Sequence, residues 1–379
     1  MDPRKRLQQT RHAVVKIGSA VFFKDGVHVD RLAFVGLIAG LDDLIRRGWL
    51  VTVVSSGAVA MGRQGVDEAV EESRDIPRLQ ALAAMGQSRL MQMYETEFSH
   101  YGHRVAQILF SRDDLSDRGR YLNARRTLQQ LVQLGAVPVI NENDTVATEE
   151  LRFGDNDELA AMTAGLVGAQ TLILLSDVNG LQRAHITEDG QRRLGETVHK
   201  IDVDDPRIDE WAGPSQNGVG KGGMISKVSA ARIAARSGAQ TVIARGKQPG
   251  ILTDIAEGKR VGTVFEPGEE RIVTGRKVWL GSGARAEGTI VCDAGACAAI
   301  RERGASLLPS GIIDVRGDFE EGEVVTITDE EGNIFARGLS VYAAADLAQI
   351  AGEHSSAIEA VLGYKLLDEA VHRDNLIVL

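Results

Sequence analysis

Ala13-Val14-Val15-Lys16-Ile17-Gly18-Ser19 is the stretch on which the fold turns. A β-branched, apolar run that ends in lysine and opens at once onto glycine and serine reads as a buried strand. Its far end would present a cation and open backbone N–H groups, which suit phosphate oxygens. Taken alone, the same residues read equally well as a surface lysine at a strand end.

Working outward, short strand-like runs recur at Leu50–Ser55, Arg104–Leu109, Ala136–Ile140, Thr171–Ser176 and Gln240–Ala244. Helical spacing of apolar residues fills the intervals over Arg31–Arg47, with Asp30 as N-cap, and over Arg78–Phe98, Tyr121–Leu134, Asp157–Leu166 and Lys227–Ser237. Strands alternating with helices predict βαβ units. The expected class is therefore α/β, a three-layer αβα sandwich with a mainly parallel central sheet. Ligands of such sheets lie beyond the carboxyl ends of the strands.

The pattern changes near Arg276. Gly288–Val291, Ser306–Leu308, Ile312–Arg316, Glu323–Thr328 and Ile334–Val341 read as successive short strands, with a turn at Glu331-Gly332-Asn333 and a helix at Ala344–Ala351. They predict a small β-rich, barrel-like module. The expected division is 1–265, a linker over 266–279, and 280–379. Charge divides the same way. Residues 280–379 hold 7 Lys and Arg against 17 Asp and Glu, which accounts for the whole chain's net −10. Phosphate backbones demand clustered cations, so nucleic acid is not an expected partner of that module.

A chain of 379 residues with 43% hydrophobic content can build such cores unaided. No apolar run reaches the roughly 18 residues of a membrane span, and no leader is evident, so a cytoplasmic location with no membrane contact is expected. Cys292 and Cys297 fit neither a zinc site nor a CxxC redox pair and read as buried, reduced thiols.

Several further stretches carry chemistry. Ser56-Gly57 after the second strand would open a helix, as an ordinary N-cap or an anion holder. Asn141-Glu142-Asn143-Asp144 ends an apolar strand in amides and carboxylates that could pair with an ammonium group, or form a turn. Asp155-Asn156-Asp157 at a helix start suits an N-cap, Mg²⁺ or an ammonium ligand. Ser176-Asp177 ends a buried strand, where both residues could face a nucleotide. Gly218-Val219-Gly220-Lys221-Gly222-Gly223-Met224-Ile225-Ser226-Lys227 contains GxGxxG, but a polar loop rather than a strand precedes it, which excludes the dinucleotide fingerprint. Gly-Lys followed by Gly excludes a P-loop. What remains is a Gly-rich loop whose N–H groups could cradle phosphates within reach of Lys227. No nucleophile–base pair is evident, and none is needed for phosphoryl transfer to a carboxylate, which is already ionised at pH 7.

These stretches, in this order, resemble the amino-acid kinase family. The resemblance rests on VVKIGS (14–19), VSSGAVAMG (54–62), VPVINENDTVAT (137–148), FGDNDELAA (153–161), LLSDVNGL (174–181) and GKGGMISK (220–227). RGASLLPSGI (303–312) and IAGEHSSAIEAVLGY (350–364) extend it to a second module similar to a PUA domain. Within the family the pairing of NEND with GDND points to the branch that phosphorylates the side-chain carboxylate of free L-glutamate, with ATP as co-substrate and Mg²⁺ as cofactor.

The resemblance implies roles. Lys16 and Lys227 would be catalytic. Ser56, Asp144, Asn156, Asp155 and Asp157 would bind substrate, and Asp155 and Asp157 are also candidate Mg²⁺ ligands. Lys16, Gly18, Ser19, Ser176, Asp177, Lys221, Gly222, Gly223, Met224, Ile225, Ser226 and Lys227 would hold ATP. Position 221 carries Lys where the family pattern has Thr, and position 19 carries Ser where Thr is common. Feedback inhibition by proline and a homo-oligomer, dimer or tetramer, are implied as well. The alternatives are a kinase of aspartate, N-acetylglutamate or carbamate, and an RNA-binding protein acting through the second module.

Overall fold

A computed structural model of the chain describes residues 2–66, 75–146, 156–186, 192–213, 223–268, 275–282 and 284–379. They divide into two compact units, residues 1–115 with 119–272, and residues 116–118 with 273–379.

The first unit is built on an eight-stranded sheet. Its strands are β1 (His12–Ile17), β2 (Leu50–Ser55), β3 (Arg104–Phe110), β4 (Ala136–Glu142), β5 (Thr171–Ser176), β6 (Lys200–Asp202), β7 (Gln240–Arg245) and β8 (Thr263–Glu266). Their order across the sheet is β6-β8-β7-β5-β1-β2-β4-β3. The six from β7 to β3 run parallel, whereas β8 pairs antiparallel with β7 and carries β6 with it. All six runs expected from sequence are strands, and the parallel sheet follows. The two short strands beyond β7 were not anticipated.

Alternation along β1 assigns the two faces. Ala13, Val15 and Ile17 join a core with residues of α1 (Arg31–Arg46), α3 (Ile76–Ser99) and the helix Ile251–Ala256. Within it the rings of Phe34 and Tyr94 meet edge to face, 5.0 Å between centroids. Asp30 caps α1 as expected, accepting from the Ala33 N–H. Val14 and Lys16 point to the other face, which α4 (Asn156–Val167) and α5 (Met224–Arg236) cover. In register on that face, Lys16 lies between Val54 of β2 and Leu174 of β5.

The short helix α2 (Ala58–Arg63) follows β2 and packs tightly on α3. A Cβ on Gly86 would overlap the Ala58 carbonyl oxygen and the Gly62 nitrogen. One on Gly62 would overlap the Leu82 carbonyl oxygen. The two glycines let the backbones touch, and this fixes the position of α3 beside the site. No helix among the described residues is long and apolar enough to cross a membrane.

The second unit carries a five-stranded sheet in the order β10-β9-β11-β12-β13. The strands are β9 (Gly288–Cys292), β10 (Ile312–Gly317), β11 (Val324–Thr328), β12 (Ile334–Leu339) and β13 (Leu376–Val378). Ile290, Ile300, Phe319, Ile327, Tyr342 and Leu347 form its core. The helix Ala344–Ile350 is as expected, whereas Ala294–Arg303, capped by Asp293, was not foreseen. The strand expected at Ser306–Leu308 shrinks to a single bridge between Leu307 and Val371, because Pro309 turns the chain into a 3-10 turn. Both cysteines are free and buried, and burial pushes the Cys292 thiol up to about 12.

Two predictions follow from the packing. Gly86→Ala will lower unfolding free energy by at least about 2 kcal/mol in urea titration, because the added methyl has backbone on two sides. Gly36→Ala, on α1 with nothing within 4 Å of the new methyl, will instead stabilise by up to about 1 kcal/mol. Equal effects would mean that the α2–α3 contact yields. At the amino end of β1, burial lowers the His12 pKa from 6.5 to about 4. The unfolded chain then binds the extra proton first, so this contribution is intact above pH 6.5 and lost as pH falls toward 4. Between those limits the wild type will lose up to about 3 kcal/mol more than His12→Gln in parallel denaturation curves.

Candidate active site

α4 begins at the carboxyl edge of β1, where its first turn meets Lys16, and the first turn of α5 meets α4 at Asp157. Asp157, the second residue of α4, receives Lys16 Nζ at 2.7 Å on Oδ1 and Lys227 Nζ at 3.0 Å on Oδ2. The Ser226 hydroxyl lies 3.3 Å from the same Oδ2 and 2.9 Å from the Gly223 carbonyl oxygen. Asp157 is fully enclosed, and each lysine is only 5% exposed. Stripping water from an ammonium group costs several kcal/mol unless a carboxylate answers it. Asp157 is thus the group that lets two lysines from opposite ends of the unit be buried side by side. Burial acts to raise its pKa, but the charges and hydrogen bonds of Lys16 and Lys227 outweigh that and hold the carboxyl below its ordinary value. Its place in the first turn of α4 is favourable for an anion as well.

A second cluster adjoins this one through Asn156. Its Nδ2 lies 2.7 Å from the Ser55 carbonyl oxygen, 3.0 Å from Ser56 Oγ and 2.9 Å from Asn141 Oδ1. Asn141, buried at the end of β4, accepts a second bond on the same oxygen from the Glu142 N–H at 2.9 Å. It donates from Nδ2 to Gln87 Oε1 of α3 at 2.8 Å. Ser56 is held at the start of α2 by Gly57, whose φ of 101° and contact with the Phe23 ring exclude any side chain. Ser55 is anchored beneath, its hydroxyl 3.0 Å from the buried Tyr94 OH.

The structure therefore brings Lys16, Ser56, Asn156, Asp157, Ser226 and Lys227 together. Gly18 lies at the same edge: its N–H donates to the Leu175 carbonyl oxygen, and a Cβ there would stand 3.8 Å from Lys16 Nζ. Ser19 is exposed at the start of a one-turn helix, Ser19–Phe22. Ser176 ends β5, and its hydroxyl donates to Asp177 at 2.9 Å. Gly223 caps α5, with Met224 half-buried and Ile225 exposed in the first turn. Asp144 is half-buried in the turn after β4. Asp155, Lys221 and Gly222 lie outside the described residues.

Sequence reasoning marked the stretch that contains Asn141 without giving that residue a role, and it did not single out Gln87. Asn141 had a signal, as the first polar residue at the end of an apolar strand. Gln87, in mid-helix, had none. Among the described residues, no cluster of three or more His, Cys, Asp or Glu is arranged to hold a metal ion.

Comparison with known proteins gives this geometry its setting. The Amino acid kinase family matches residues 11–245, and the PUA domain matches residues 288–362. The curated protein named glutamate 5-kinase from Syntrophotalea carbinolica is 45% identical over 373 residues, covering 98% of this chain and 98% of its own length. The glutamate 5-kinase of Myxococcus xanthus is 47% identical over 379 residues, with coverage of 99% and 98%. That of Pseudomonas putida strain GB-1 is 44% identical over 376 residues, with coverage of 99% and 100%. Family and relatives agree along the length of the sequence, and the chain belongs to the amino acid kinase family, with a PUA domain after the kinase domain.

Proposed function

We propose that the chain transfers the γ-phosphoryl group of ATP to the side-chain carboxylate of L-glutamate, giving L-glutamyl 5-phosphate and ADP. The observation that carries the reading is the meeting of Lys16 and Lys227 on Asp157 at the carboxyl edge of a parallel sheet. Two anions must be drawn together, and the charge that spreads over the moving phosphoryl group must be neutralised. Two ammonium groups fixed on one carboxylate meet that demand without rearrangement. The acceptor carboxylate is ionised at pH 7, so no general base is required. The relatives named glutamate 5-kinase, 44–47% identical, favour glutamate as acceptor.

In this reading Ser56, Asp144 and Asn156 hold the amino-acid end of glutamate. Gly18, Ser19, Ser176, Asp177 and the segment from Lys221 to Lys227 hold the nucleotide. Mg²⁺, when bound, neutralises charge on the ATP phosphates, which usually carry it. Asp157 fits poorly as its ligand, because each of its oxygens already faces an ammonium group. Residues 1–265 carry the catalysis, 266–279 link, and 280–379 form the second domain. Inhibition by proline and homo-oligomeric assembly extend the proposal on resemblance alone.

Trapping acyl phosphate with hydroxylamine, after incubation with ATP and each of L-glutamate, L-aspartate and N-acetyl-L-glutamate, tests the acceptor. Hydroxamate is expected from glutamate and is expected to fall when proline is added. Product from N-acetylglutamate but not glutamate would overturn the reading. Lys227→Ala will lower kcat at saturating substrates by roughly 10²–10³. A loss below tenfold would remove Lys227 from the chemistry.

A further inference from the structure

Gln87 lies on α3, away from every stretch that the family resemblance marks, yet it ends a chain of side-chain amides that leads to the substrate cluster. The direction of that chain is fixed by a group that cannot turn round. The Glu142 backbone N–H only donates, so the atom of Asn141 facing it must be Oδ1. Asn156, which approaches the same oxygen at 2.9 Å, must then donate Nδ2 to it. The Nδ2 of Asn141 is left turned toward α3, where Gln87 Oε1 receives it at 2.8 Å. At the other end, Nδ2 of Asn156 has three acceptors within 3.0 Å, namely Asn141, the Ser55 carbonyl and Ser56 Oγ. The amide nitrogen of Asn156 is thereby committed to protein, and its carbonyl oxygen is turned the other way. Ser56, accepting from Asn156, keeps its own hydroxyl hydrogen to give.

We infer that Gln87 is a positioning residue for the amino-acid substrate. By holding Asn141, it sets Asn156 to offer an acceptor to the substrate ammonium and Ser56 to offer a donor to the α-carboxylate. This rests on the proposed glutamate kinase activity. The fold supports the placement. Gly86, the preceding residue, is pressed against Ala58 and Gly62 of α2, the helix that follows Ser56. α3 cannot slide or turn there without moving α2, so the distance from Gln87 to the Ser56 end of the cluster is set by backbone contact. Gln87 touches Asn141 and not the lysine–aspartate centre, so its loss should weaken glutamate binding and leave phosphoryl transfer intact.

Gln87→Met keeps length and helix propensity but removes the acceptor. The KM for glutamate is expected to rise about tenfold, the factor that one lost hydrogen bond of ordinary strength gives. The KM for ATP and kcat at saturating glutamate should stay within about threefold. Gln87→Glu, which restores an acceptor, should recover most of the glutamate KM. In an Asn156→Ala background Gln87→Met should have little further effect, because the chain is already cut. Should Gln87→Met not fold, as judged by its thermal midpoint, Gln87→Ala takes its place. An unchanged glutamate KM, or equal rises in the KM values for glutamate and ATP, would overturn the inference while leaving the activity in place. Absence of glutamyl hydroxamate from the wild type would overturn the proposed function and this inference together.

Discussion

The ion triplet of Lys16, Asp157 and Lys227 is the interaction on which the first unit depends. Each member comes from a different element: the central strand β1, the first turn of α4 and the first turn of α5. None of the three could be buried singly. A lone lysine behind β1 would be driven toward its neutral form, and a lone aspartate in an enclosed site would take up a proton. Together they compensate one another, and in doing so they tie two helices to the sheet at the edge where ligands of such folds bind. In the proposed reading, the atoms that tie these elements together are also those that act on the phosphoryl group. A buried ion pair is costly to break and contributes little net stability when intact, so its presence is better explained by what two fixed ammonium groups can do than by what they add to folding.

Beside this charged centre stands a neutral one. Gln87, Asn141, Asn156 and Ser56 are joined by hydrogen bonds of 2.8 to 3.0 Å, and none of the four titrates near neutrality. Orientation is set there by the donor and acceptor rules of amides, and not by charge. The division suits an enzyme that must tell one amino acid from another while moving a highly charged group. In the proposed reading, recognition relies on directional bonds and transfer relies on fields.

Much of the fold was legible because parallel strands buried on both faces are written as unbroken apolar runs. Each such run from Ala13 to Ala244 became a strand, and Asp30 capped α1 as read. The short strands β6 and β8 escaped because three or four residues carry no periodicity. Ala294–Arg303 escaped because its Ala, Gly and Cys residues mark no clear apolar stripe. At the site, the sequence pointed to Lys16, Asp157 and Lys227 separately but could not join them. An aspartate in a first helical turn reads locally as a cap or a metal ligand, and only the tertiary fold supplies the second lysine. Gln87 was invisible for the same reason in stronger form, since a glutamine at mid-helix is ordinary and its partner lies on another element.

The chain order of the triplet has a consequence for biosynthesis. Lys16 is made early, Asp157 midway and Lys227 near the end of the first unit, and β7, which completes the parallel part of the sheet, follows it. A nascent chain emerging from the ribosome holds Lys16 for most of its translation without the second ammonium group. The unit can begin to collapse as its early strands and helices appear, but such long-range pairings close last. The polypeptide gains its paired cations only when most of that unit has been translated, so products of synthesis interrupted before Lys227 lack the second ammonium group.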